Sequence, residues 1–194
     1  MLMGKRILLV LAFACLAVSA GAQTFGLGIT VGLPNDVGTK VRIDNFDHSE
    51  VTGWFDYRLE SSTLFRLTYG NMRTQQARSQ STIQTPTGPL VLPEFKERIE
   101  YGTMSLSYLF WEGFYTSGIF AGVGAYAIRP DAVASEIAEY ADERETVFGW
   151  HVGLDGEFRL VRKLSLVLRL TYHNITAHPH RQFLNADAGF VARF

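Results

Sequence analysis

Apolar residues recur at every second position along most of the chain, the period of a β-strand with one hydrophobic face. Phe25, Leu27, Ile29 and Val31 alternate with Thr24, Gly26, Gly28, Thr30 and Gly32. Leu33-Pro34-Asn35-Asp36 reads as a turn, after which Val37, Thr39, Val41 and Ile43 alternate with Gly38, Lys40 and Arg42. Phe55, Tyr57 and Leu59 oppose Trp54, Asp56 and Arg58, and Phe65, Leu67 and Tyr69 oppose Arg66, Thr68 and Gly70. Met104, Leu106, Tyr108 and Phe110 alternate with Thr103, Ser105 and Ser107; Ile119, Ala121, Val123 and Ala125 alternate with Gly118, Phe120, Gly122 and Gly124. The last segments are the clearest. Phe148, Trp150, Val152 and Leu154 alternate with Gly149, His151, Gly153 and Asp155, and Leu164, Leu166, Leu168, Leu170 and Tyr172 with Ser165, Val167, Arg169, Thr171 and His173. Leu184, Ala186, Ala188, Phe190, Ala192 and Phe194 close the series. The chain has no internal repeat of fixed period, no low-complexity tract and no linker long enough to divide it, so the pattern predicts a single all-β domain.

Which face meets water decides between a soluble and a membrane barrel. The non-apolar face is mostly Gly, Ser and Thr with isolated charges, which suits a crowded interior; Gly on an exposed strand face has no packing reward and costs entropy. The opposite face is Leu, Val, Phe, Trp and Tyr without charge over strand after strand. In water that would be a very large exposed patch, whereas in lipid it is the required surface.

Connection lengths then set the orientation. Links near residues 60–62, 111–113 and 161–163 are short, and those at 74–95, 129–143 and 174–182 are long, in strict alternation. Residues 74–95 are polar and Pro-bearing, as in a long loop or protruding hairpin, and 129–143 are acidic. Outer-membrane barrels have short periplasmic turns and longer outer loops. Counting back from a periplasmic C-terminus gives eight crossings, the first at residues 37–44, and leaves 24–32 as a ninth strand-like segment, which either continues the first strand through a kink at Pro34 or adds a crossing to the count. The expected fold is an up-and-down antiparallel transmembrane β-barrel of eight strands, with ten as the alternative.

Composition agrees with this. The chain has 194 residues, 47% of them hydrophobic, with 18 Lys plus Arg against 19 Asp plus Glu; disorder is excluded, and a nucleic-acid-binding protein would carry a basic excess. At the N-terminus, Lys5 and Arg6 precede an apolar run over residues 7–18 and a small-residue stretch, Ser19-Ala20-Gly21-Ala22. That is the pattern of a secretory signal peptide, and the run is short of the roughly 18 residues that a membrane-spanning helix needs. Cys15 raises a lipoprotein alternative, but Ala12-Phe13-Ala14 lacks the expected Leu three positions before it. Residues 1–22 are therefore expected to be removed and 23–194 to form the barrel domain. Cleavage removes the only cysteine, so no disulfide can stabilise the mature domain.

Asp187-Ala188-Gly189-Phe190-Val191-Ala192-Arg193-Phe194 resembles the terminal signal of bacterial outer-membrane barrels. Asp187, Gly189 and Phe194 match it, and Ala192 stands where an aromatic residue is usual. With the hairpin rhythm and the N-terminal pattern, the chain resembles the small outer-membrane β-barrel superfamily of the OmpA transmembrane-domain and OmpX type. The resemblance implies residence in the cell outer membrane, contact with its lipid, and the barrel-assembly machinery as a partner in biogenesis. That superfamily includes adhesins, structural anchors, narrow pores and a few lipid enzymes, so function does not follow from it.

Parity places Lys40, Arg42, Asp56, Arg58, Arg66, His151, Asp155, Glu157, Arg169, His173, Asp187 and Arg193 in the lumen. Both signs are present, and an eight-stranded barrel is only wide enough for its own side chains, so a paired polar network is expected. A narrow pore is the alternative. Barrel lipid A deacylases use a His-x-Ser pair with an acidic residue. Here His173 and Asp187 lie near one another with Thr176 close by, but position 175 is Ile and His173 has inward parity. His178 and His180 lack a third zinc ligand. The expectation is a monomeric, non-enzymatic barrel without cofactor, metal or nucleic-acid partner, with a structural or surface-interaction role. An unidentified extracellular partner would meet the loops at 74–95 and 129–143, where Ser135, Glu136, Glu139, Asp142 and Glu143 form an acidic tip.

Overall fold

The computed structural model describes residues 25–37, 49–74, 81–85, 88–92, 97–111, 113–130, 145–177 and 181–194. The strands in chain order are β1 (Phe25–Asp36), β2 (Glu50–Glu60), β3 (Thr63–Arg73), β4 (Ser81–Thr85), β5 (Gly88–Leu92), β6 (Glu97–Trp111), β7 (Tyr115–Pro130), β8 (Glu145–Val161), β9 (Leu164–Ile175) and β10 (Arg181–Arg193). Eight of them close into an antiparallel barrel in the order β1-β10-β9-β8-β7-β6-β3-β2, and β4 and β5 form a separate two-stranded hairpin within the connection 74–96. The residues of the N-terminal signal pattern lie outside the described residues.

The first barrel strand is Phe25–Asp36, which corrects the assignment of that role to 37–44. With β1 in place the barrel closes on eight strands, so ten are not needed. Residues 38–48, including Lys40 and Arg42, lie outside the described residues. Alternation alone ends this strand before Pro34, yet the strand runs through it. Odd-numbered residues of β1 donate toward β10, as Phe25 and Val37 do to Phe194 and Gln182. Pro34 therefore turns its donorless nitrogen toward β2, where pairing with β1 has already ended at Gly32. The β1–β10 ladder asks for no N–H at this position, so the proline breaks none of its bonds.

Short turns join β2 to β3, β6 to β7 and β8 to β9 at one end, and the long connections lie at the other. Along the wall the outward residues are apolar and exposed: Ile29, Val31, Leu67, Met104, Leu106, Val123, Leu154, Leu168 and Phe190 are all between 41% and 57% exposed. Aromatic side chains gather toward the turn end, Phe25 against Phe55 and Tyr57 and Tyr115 against Phe158, while Trp150 meets Tyr172 nearer the other end. An uncharged belt flanked by aromatic residues is the surface a bilayer requires.

Near the loop end this pattern inverts. β6 and β7 run on to Glu97 and Pro130, further than alternation alone suggests, and there the outward residues become polar: Arg98 and Glu100 on β6, Arg129 on β7. The inward residues become apolar, and Met72, Ile99, Tyr101, Tyr126, Ile128, Ile175, Ala177 and Phe183 form one buried cluster inside the barrel. The strands at this end present a polar exterior over an apolar core, as a soluble barrel does.

An Arg on the lipid face near the bilayer midplane costs roughly 2–4 kcal/mol. Leu168→Arg, on the outward face of β9, should lower the folding stability of the barrel in lipid vesicles by about that amount, measured by denaturant titration. Val167→Arg, which enters the lumen, should leave the belt intact and lose less. The reverse order would exchange the two faces.

Candidate functional site: the lumen

Inward parity brings polar residues from strands all round the barrel together. Asp56 and Arg66 are directly opposed on β2 and β3, and Asp155 and Arg169 on β8 and β9. Arg66 joins the two pairs: its Nε donates to Asp56 Oδ1 at 2.6 Å and its Nη1 to Asp155 Oδ2 at 2.5 Å. Arg169 Nε donates to Asp155 Oδ1 at 2.8 Å. Toward the turn end, Arg193 lies 3.5 Å from Asp56 and donates from Nε and Nη2 to Glu157. The result is a ladder of alternating charge, Arg169, Asp155, Arg66, Asp56, Arg193, Glu157. Bringing charges out of water is expensive, and only geometry that satisfies each of them offsets the cost.

Aromatic rings complete the site. The Arg169 guanidinium carbon lies 4.0 Å from the centre of the Trp54 ring system, and that of Arg66 lies 5.4 Å from it; Phe120 stands 5.5 Å from each. Cation–π contact favours a guanidinium in just such a desolvated position. Trp54 Nε1 donates to Asp56 Oδ2 at 3.3 Å. These large rings fit because each overlies a glycine on a neighbouring strand. A Cβ at Gly28 would fall 2.1 Å from Trp54, one at Gly70 2.2 Å from Tyr101, and one at Gly153 2.3 Å from Phe120. The glycine-rich inner face is thus the space the aromatic rings occupy.

Nearer the loop end a second cluster surrounds a carboxylate. Glu50 is 1% exposed and accepts hydrogen bonds from the hydroxyls of Tyr101 and Thr52 and from Asn185 Nδ2. His151 and His173 are directly opposed on β8 and β9, with ring centres 5.7 Å apart, and His173 Nδ1 lies 3.0 Å from the Tyr126 hydroxyl. A cavity of about 20 Å³ remains between these groups and the ladder, lined by Thr52, Arg66, Phe120, His151, Arg169 and Asp187 among others. That is room for about one water molecule.

Of the residues assigned to the lumen by parity, Asp56, Arg66, Asp155, Glu157, Arg169 and Arg193 form the ladder. His151, His173 and Asp187 are buried between it and the Glu50 cluster. Arg58, near the end of β2, donates to the Ser61 carbonyl of the β2–β3 turn at 2.6 Å. Lys40 and Arg42 are outside the described residues. His173 and Thr176 are not brought together: His173 is 3% exposed inside the barrel, while the exposed Thr176 donates its hydroxyl to the Phe148 carbonyl. His178, His180 and the acidic residues at 135–143 lie outside the described residues, and among the described residues no group of three or more His, Cys, Asp or Glu is placed to hold a metal.

Sequence reasoning missed Glu50, Tyr101, Tyr126 and Asn185. In the sequence Glu50 reads as the end of a polar connection, though its parity with Thr52 places it inside. Tyr101 and Tyr126 continue the inward positions of Thr103 and Gly124, but they are large rings where the inner face is otherwise small or polar.

At the C-terminus, Phe25 and Phe194 exchange backbone hydrogen bonds of 3.1 and 2.8 Å. A Cβ at Gly189 would fall 2.0 Å from the Ile29 carbonyl oxygen, so Gly189 lets β10 approach β1. Asp187 faces the lumen two positions earlier.

An eight-stranded closed sheet with an uncharged belt and a charge-filled interior defines the class: this chain has the fold of the small outer-membrane β-barrels. Among solved structures it is similar to the Neisserial surface protein A, at a TM-score of 0.63 and 12% identity, covering 89% of this chain and 98% of that one. It is similar also to a major outer membrane protein of Thermus thermophilus, at a TM-score of 0.55 and 12% identity over 88% and 98% of the two chains. The N-terminal barrel domain of OprF from Pseudomonas aeruginosa matches at a TM-score of 0.50 and 12% identity, over 87% and 98%. No protein-family model and no curated protein matches the sequence.

Removing one member of a buried ion pair strands its partner and costs roughly 3–5 kcal/mol, whereas an exposed pair contributes at most about 1 kcal/mol. Asp155→Ala, which strands Arg169 and leaves Arg66 with Asp56 alone, should destabilise the barrel by the larger amount in vesicle-based denaturant titration. Glu100→Ala, which breaks the 2.9 Å pair with the half-exposed Arg129 on the outer wall, should change stability by the smaller one.

Proposed function

We propose that this protein is a non-enzymatic barrel of the bacterial outer membrane that works as a monomer in a structural or surface-interaction role, with its outer connections as the working surface. The observation that carries the reading is the filled lumen. The charge ladder, the aromatic side chains beside it and the apolar cluster at the loop end leave a cavity of about 20 Å³, too small to pass a hydrated solute. A non-enzymatic role is supported by the separation of His173 from Thr176, since nucleophilic catalysis needs a base within hydrogen-bond reach of its nucleophile. The similar Neisserial protein is by its name a surface protein, which accords with a role at the cell exterior.

On this reading residues 1–22 direct export. The barrel-assembly machinery recognises Asp187, Gly189 and Phe194. Partners meet the connections at 74–95, which carry the β4–β5 hairpin, and at 129–143.

Planar-bilayer recording of the refolded protein should show no reproducible channels. Stepwise conductance that changes with Arg66 or Asp155 substitution would make the protein a pore and end the filled-lumen argument. A change in lipid A mass on expression, abolished by His173→Ala, would make it a lipid enzyme. Deleting Phe194 should slow assembly and lower the amount of barrel in the outer-membrane fraction several-fold. Unchanged levels would remove the assembly-signal role.

A further inference from the structure

Glu50 and Asp187 stand on either side of Gly32, Glu50 as its partner on β2 and Asp187 as its partner on β10. Gly32 has no side chain to separate them. The Asp187 carboxyl lies over it, where a Cβ would fall 1.8 Å from Oδ1, and the Glu50 carboxylate reaches across to β10, where Asn185 Nδ2 donates to it at 2.6 Å, so the two carboxyls come together above Gly32. The two groups are 1% and 7% exposed. Glu50 already accepts from three neutral donors, Tyr101, Thr52 and Asn185.

Among the described residues, the positive charge beside the pair is already shared with other carboxylates: Arg169, opposite Asp187 on β9, is bound to Asp155. The three ladder guanidiniums are matched by the three ladder carboxylates, and the ladder's ion pairs include neither Glu50 nor Asp187. Arg169 faces Asp187 from β9 with its Nε on Asp155 of β8 and its Nη2 without a hydrogen-bond partner, so it makes no ion pair with Asp187. The other titratable groups nearby are Tyr101 on β6, Tyr126 on β7, His151 on β8 and His173 on β9. Two carboxyl groups in contact cannot both be ionised, because their repulsion in a dry interior far exceeds what neutral donors return.

We propose that Glu50 and Asp187 form a proton-binding site in the lumen, a carboxyl pair that shares one proton, with Asp187 donating its O–H to the Glu50 carboxylate. Glu50 is the ionised member because its oxygens take the three donors. Asp187 is the protonated member because its Oδ1 has no hydrogen-bond partner, a state that a neutral carbonyl oxygen tolerates far better than an ionised one. The pair thereby carries one negative charge instead of two beside the balanced ladder.

Infrared spectroscopy of the refolded chain in lipid vesicles at neutral pH tests this directly, since a protonated carboxyl has a C=O stretching band distinct from those of ionised carboxylates. The wild-type protein should show such a band. It should be lost in Asp187→Asn and moved or lost in Glu50→Gln, and it should stay in place in Glu100→Gln, whose carboxyl lies on the outer wall. Both lumen variants keep the side-chain shape, and heat-modifiable migration on gels reports that each has folded; either alone is sufficient. A wild-type spectrum with no protonated-carboxyl band, or a band that Asp187→Asn leaves in place, would overturn the proposal. The test reads neither conductance nor partner binding, so its outcome is separate from that of the filled-lumen reading.

Discussion

Closure of the sheet between β1 and β10 is the condition on which everything else in this molecule rests. In a bilayer an open sheet edge would leave a row of unpaired N–H and C=O groups, each costing several kcal/mol. The seam runs from Gly26 opposite Arg193 to Asp36 opposite Phe183 and is tied off by the Phe25 and Phe194 backbone pair. Once eight strands are closed, the interior is only as wide as the side chains that point into it. What fills the lumen is therefore a consequence of closure.

Given that width, the contents of the lumen follow from the cost of burying charge. Hydrophobic residues of equal volume would often be as stable as the buried ion pairs, so the ladder is not explained by stability alone. Once present, however, it is rigidly specified. Asp155 bridges the guanidiniums of Arg66 on β3 and Arg169 on β9, and Asp56 bridges the same Arg66 to Arg193 on β10, so each carboxylate fixes strands that are distant in sequence. The aromatic rings that flank the guanidiniums are admitted by glycines on neighbouring strands. Polar pairing, ring contact and glycine placement form one arrangement: a Cβ at Gly28 would displace Trp54 and with it the ring against Arg169.

The architecture was legible because within the membrane both faces of each strand obey one rule, apolar toward lipid and small or polar toward the lumen. That rule identified the faces of β2, β3 and β6 to β10 and the alternation of short and long connections. It failed where its physical basis ends. Beyond the bilayer the outer face meets water and the inner face becomes a conventional apolar core. Tyr101, Tyr126 and Ile128 therefore point inward while Arg98, Glu100 and Arg129 point outward, and a reader who expects polar lumen residues stops the strands too early. The misplaced first strand has a different cause. Pro34 is a strand breaker only where its missing donor interrupts a ladder, and which edge it faces is a property of the pairing.

The same inversion bears on where the protein can meet anything outside the membrane. The cluster of Met72, Ile99, Tyr126, Ile175 and Phe183 stands between the charged interior and the loop end, so the ladder has little exposure to the exterior and its charges serve the barrel itself. What the emerging wall offers instead is Arg73, Arg98 and Arg129, directly opposed on β3, β6 and β7, with Glu100 held against Arg129. The fold, and with it the closure of the sheet, is shared at 12% identity with the Neisserial surface protein A. On the function proposed above, the residues through which this barrel acts are those on the emerging wall and the connections above it.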